Sequence, residues 1–62
     1  MKNLALRNGD TVCFVCADSY AIAMVDKADG GTLSFHQNLN AKEKKAVRDF
    51  LKKEGISYKK EE

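Results

Sequence analysis

Two cysteines three positions apart, Cys13 and Cys16, and a single histidine, His36, are the residues of this 62-residue sequence best suited to metal or nucleophile chemistry. Cys13-Phe14-Val15-Cys16 has the C-x-x-C spacing of a zinc knuckle, and His36 would supply a third ligand. Knuckle cysteines, however, flank a tight turn and are followed by a second ligand pair. Here Phe and Val stand between them, and the segment reads as a strand, on which positions i and i+3 face opposite sides. No second histidine exists, and Asn40 stands where a His-x-x-x-His partner would be. Buried free cysteines are the expectation, with no metal and no cofactor. A redox pair is excluded on the same ground, since no strand-to-helix turn is present to lower a thiol pKa.

His36 as a general base would need a nucleophile and an orienting acid. Cys13 or Cys16 with Asp18 or Asp26 are the candidates, and nothing in their spacing supports them. No catalytic residue is assigned, and the chain is read as a non-enzyme. Asp29-Gly30-Gly31 leads into a strand and not a helix N-terminus, so it is a turn and not a phosphate loop.

Binding chemistry offers two further constellations. Lys45, Arg48 and Lys52 would project from one face of a predicted helix, the pattern of a nucleic-acid contact. Against it, Asp49 lies one turn from Lys45, and nine acidic residues offset eleven basic ones to a net charge of +2. Phe14, Tyr20 and Phe35 could stack on bases, but such platforms carry basic residues among the aromatics. Only Arg7 and Lys27 lie near these rims.

The elements that would position these residues begin with a helix over Leu39 to Ile56. Asn40 is its N-cap and Glu43, three residues on, completes a capping box. Gly55 closes the helix in the left-handed conformation, and Ile56 folds back onto Leu51 as a Schellman motif requires. Leu39, Ala46, Val47, Phe50 and Leu51 share the apolar arc, with Lys45, Arg48 and Lys52 opposite.

Before the helix the sequence reads as sheet. Leu4 and Leu6 alternate with polar and small residues up to Asn8-Gly9, a strong hairpin signal. Thr11 to Ala17, Tyr20 to Lys27 and Thr32 to His36 follow as strands, separated by Asp18-Ser19 and by Ala28 to Gly31. With two-residue turns at Asn8-Gly9 and Asp18-Ser19, Leu4, Leu6, Cys13, Val15, Ile22 and Met24 share one face. Val12, Phe14, Cys16, Ala21, Ala23 and Val25 share the other. Leu33 and Phe35 join the first face if the third loop has four residues, the reading preferred here, and the second face if it has five.

The expected fold is therefore α+β, a three- or four-stranded antiparallel meander followed by one C-terminal helix packed on one sheet face. Residues 1–56 form a single domain and 57–62 a charged, frayed tail. No apolar run reaches the ~18 residues of a membrane span, and no apolar leader opens the chain, so a soluble cytoplasmic protein without membrane contact is expected. One helix covers one face only. Val12, Phe14, Ala21, Ala23 and Val25 would remain as an apolar contact surface for a partner protein or for a second copy in a homodimer. The function this implies is a protein-binding module that regulates or inhibits its partner. The alternative is a nucleic-acid-binding protein using Lys45, Arg48 and Lys52.

Overall fold

A computed structural model describes residues 3–62. The elements in order are β1 (Leu4–Asn8), β2 (Val12–Ala17), β3 (Tyr20–Asp26), a 3-10 turn (Lys27–Asp29), β4 (Thr32–Phe35), α1 (Ala41–Lys53) and β5 (Lys60–Glu61). They form one five-stranded sheet in the order β1-β2-β3-β4-β5 with a single helix. The first four strands are an antiparallel meander, and β5 runs parallel to β4 after the helical crossover. The class is α+β.

The helix ends follow from local chemistry. Asn40 Oδ1 accepts from the Glu43 amide at 2.8 Å, and Glu43 Oε1 accepts from the Asn40 amide at 3.0 Å. Both bonds satisfy first-turn donors that have no partner within the helix. At the far end Gly55 adopts φ 78°, its amide donates to the Lys52 carbonyl, and the Ile56 amide donates to that of Leu51. That pair of bonds is the Schellman closure. The packed side chains are Val47 and Leu51, both fully buried, and burial of each contributes about 1.5–3 kcal/mol.

The core lies between α1 and one sheet face, called here the inner face. Cys13, Val15, Ala17, Ile22, Ala23, Val25 and Leu33 meet Val47 and Leu51 there, with Leu4, Leu6, Phe35, Leu39, Phe50, Ile56 and Tyr58 packed at its margin.

Four features depart from the sequence-based expectation. The first hairpin does not turn at Asn8-Gly9. Asn8 pairs with Cys13 and the Gly9 amide donates to the Val12 carbonyl, so Asp10-Thr11 make the turn. The shift sets Leu6 against Val15 and Leu4 against Ala17. Matching apolar partners outweighs the local turn preference.

The second departure is a bulge. Val15 pairs with Ala23 but Cys16 pairs with Ala21, leaving Ile22 as an extra residue on β3. Ile22 and Ala23 are both buried in the core. The bulge reverses the alternation of β3 beyond it, so Val25 lies on the inner face and Met24, opposite Phe14, on the outer one. The third loop is Lys27 to Gly31, five residues between the paired Asp26 and Thr32 and not the preferred four. Both changes flip the face, and they cancel. Leu33, paired with Val25, and Phe35, paired with Ala23, therefore join Leu4, Leu6, Cys13 and Val15 as expected.

Residues 57–62 are also not a frayed tail. Lys60 pairs with Thr32 and Glu61 with Leu33. The Lys59 amide donates to the Gly31 carbonyl at 2.7 Å, and the Glu62 amide to that of Leu33 at 2.9 Å. Gly31 admits this crossing: it sits at φ 108°, and a Cβ there would lie 2.7 Å from Tyr58 Cα. The free hydrogen-bonding edge of β4 is what captures the tail, and such an edge has no local sequence signature.

Candidate functional site

The outer face of the sheet carries no helix. Its central row runs Arg7, Phe14, Met24, Ser34 across β1 to β4, and the next row is Ala5, Cys16, Ala21. Phe14 keeps 37% of its surface exposed. The small side chains beside it leave a shallow, largely apolar depression of about 220 Å³, bordered by Phe14, Ala21, Met24, Ser34 and His36. Around the sheet end a second hollow lies between Tyr20, His36, Leu39 and Glu43. Tyr20 on its rim is 64% exposed.

The five expected contact residues therefore divide. Phe14 and Ala21 are exposed on the outer face, and Val12 is half-buried at its end. Ala23 borders the depression only as a buried residue, and Val25 is not part of it. They are 6% and 0% exposed, turned into the core by the β3 bulge. Their places are taken by Met24 and Ser34. Met24 was legible as an apolar strand residue, but its side depends on a bulge that sequence periodicity does not reveal.

The basic triad is also rearranged. Lys45 does project outward and pairs with Asp49 at 2.9 Å. Arg48 does not point away from the sheet. Its Nε and Nη2 donate to the two carboxylate oxygens of Glu61 on β5 at 2.8 and 2.9 Å. Its guanidinium carbon also stands 5.2 Å from the centre of the Phe35 ring, and Lys44 Nζ stands 5.5 Å from it. Arg48 takes this direction because β5 brings a carboxylate to the helix side, an element absent from the expected meander. The hydrogen bond and charge of Arg48 hold the Glu61 carboxyl below its ordinary value, and the hydrogen bond and charge of Glu61 in turn raise Arg48 above its own. Lys52 lies nearby beside Ile56 and Tyr58. Two of the three expected cations are thus matched by carboxylates.

The cysteines lie on opposite faces. Cys13 is in the core cluster, whereas Cys16 sits between Ala5 and Ala21 in the outer row, 6% exposed. Among the described residues no three His, Cys, Asp or Glu side chains converge as metal ligands. His36 Nδ1 accepts from the Asn38 amide at 3.3 Å, a local turn contact. No described helix is long and apolar enough to cross a membrane.

Comparison with protein-family models, curated proteins and solved structures finds no match for this chain.

Proposed function

We propose that this chain is a small, non-enzymatic module that binds a partner protein on its outer sheet face and thereby regulates or inhibits that partner. The observation that carries the reading is the Phe14–Met24 pair, an apolar centre on a face that no element among the described residues covers. A depression of about 220 Å³ is smaller than the ~300–1,000 Å³ of typical small-molecule sites. It suits one large side chain of a protein ligand, and Met24 gives it an adaptable floor. Arg7 on the same row has no ion-pair partner among the described residues. The ligand that fits is an apolar anchor residue with a carboxylate placed toward Arg7.

The test is a photo-crosslinker at Ala21 to capture the partner, followed by titration of that purified partner. Phe14→Asp should cost about 2 kcal/mol or more of binding, the scale of a hot-spot residue. Arg7→Glu should weaken binding further while far-UV circular dichroism stays unchanged. Equal affinity of the wild type and a folded Phe14→Asp would remove the reading. Salt-sensitive binding of mixed DNA or RNA, lost when Lys45 and Lys52 are neutralised, would favour the nucleic-acid class instead.

A further inference from the structure

The two edges of the sheet are built differently. β5 is two residues long, Lys60 and Glu61, both charged. Short charged edges resist the addition of another strand. β1 reads Leu-Ala-Leu-Arg-Asn and pairs with β2 without a bulge, so it has no proline and one charge as protection.

Its free groups can be assigned. The Gly9 amide donates to the Val12 carbonyl, and the Asp18 amide donates to the Asn3 carbonyl. Bonded and non-bonded pairs alternate along an antiparallel ladder. Ala5 and Arg7 therefore turn their backbone groups toward β2, and Leu4, Leu6 and Asn8 turn theirs out of the sheet. Nothing among the described residues bonds to that side.

We infer that β1 pairs antiparallel with β1 of a second copy, about a two-fold axis at Leu6. In that register Leu6 faces its counterpart and Leu4 faces the second copy's Asn8, so every outward backbone group of the strand is used. The side chains agree with it. On the outer face Ala5 meets the second copy's Arg7, and no like charges oppose one another. On the inner face Leu6, half-buried in the single chain, faces its equivalent, and the half-buried Leu4 lies diagonal to the second copy's Leu6. The cations of α1 that reach the sheet, Lys44 and Arg48, stand over the Phe35 ring on β4 and, for Arg48, on Glu61 of β5, at the far side of the sheet from β1. The inference goes beyond the partner-binding reading, since edge pairing leaves Phe14 free and sets two such faces side by side.

Light scattering of the full chain across a concentration series tests it. A dimer is expected. Asn8→Pro removes an outward donor at an exposed position, where an edge strand tolerates proline, and should weaken the dimer about tenfold. Ala5→Glu, placed opposite Arg7, should tighten it several-fold, and Ala5→Arg should weaken it. Phe14→Asp should leave it unchanged. If Asn8→Pro proves misfolded by circular dichroism, the opposite signs of the two Ala5 variants decide. A monomer at high micromolar concentration would overturn the inference, as would a dimer indifferent to the Ala5 variants or lost with Phe14→Asp.

Discussion

Phe14 and Val25 look alike in the sequence, two apolar residues on neighbouring strands, yet they do opposite work. Val25 is fully buried beneath α1, and Phe14 remains partly exposed on the outer face. A carboxylate at position 25 would be a buried, unpaired charge, which costs far more than a small domain can absorb. Val25→Asp should abolish the cooperative thermal transition. Phe14→Asp should retain one, with a melting temperature within a few degrees of wild type. Differential scanning calorimetry of both variants separates core from surface residue by residue. The contrast matters for function, because only a residue whose loss spares the fold can report on binding.

At the scale of elements, legibility followed how local the determining interactions are. Both ends of α1 could be read because Asn40, Glu43, Gly55 and Ile56 act within one turn of each other. Asn40→Ala should cost about 1 kcal/mol, visible as a lower denaturant midpoint at unchanged slope. The strands and most of their bounds were equally readable. The register of β3 was not, because the Ile22 bulge is fixed by how two successive side chains pack under the helix. One residue of slip exchanged Val25 for Met24 on the candidate surface. Half of the apolar site was legible as strand composition, and its other half depended on that slip. β5 was hidden for a related reason. A pair of charged residues becomes a strand only because β4 offers it an unpaired edge.

The whole molecule is held closed at its C-terminal end by Arg48 and Glu61, which tie helix to β5. Glu61 has a folded pKa below its ordinary value, chiefly through the Arg48 hydrogen bond. Its contribution is therefore complete above the ordinary glutamate pKa of about 4.3. It is lost as the pH falls through the lowered value. The protection factor of the Glu62 amide should fall in that acidic window while that of Val25 holds, and Glu61→Gln should remove this pH dependence of the protection factor. Both side chains are substantially exposed, so the effect should shrink with added salt.

The parallel pairing of β4 with β5 also carries a consequence in time. The hairpins from β1 to β4 join residues close in sequence, whereas Thr32 and Lys60 meet only after the whole helix has been spanned. Closing the longer loop costs more chain entropy before any contact repays it. The meander is thus expected to form early in the folding reaction, with β5 the last strand to dock. Until it does, the edge of β4 stands open, and the nascent fold has two strand edges to guard where the finished one has β1 alone unprotected.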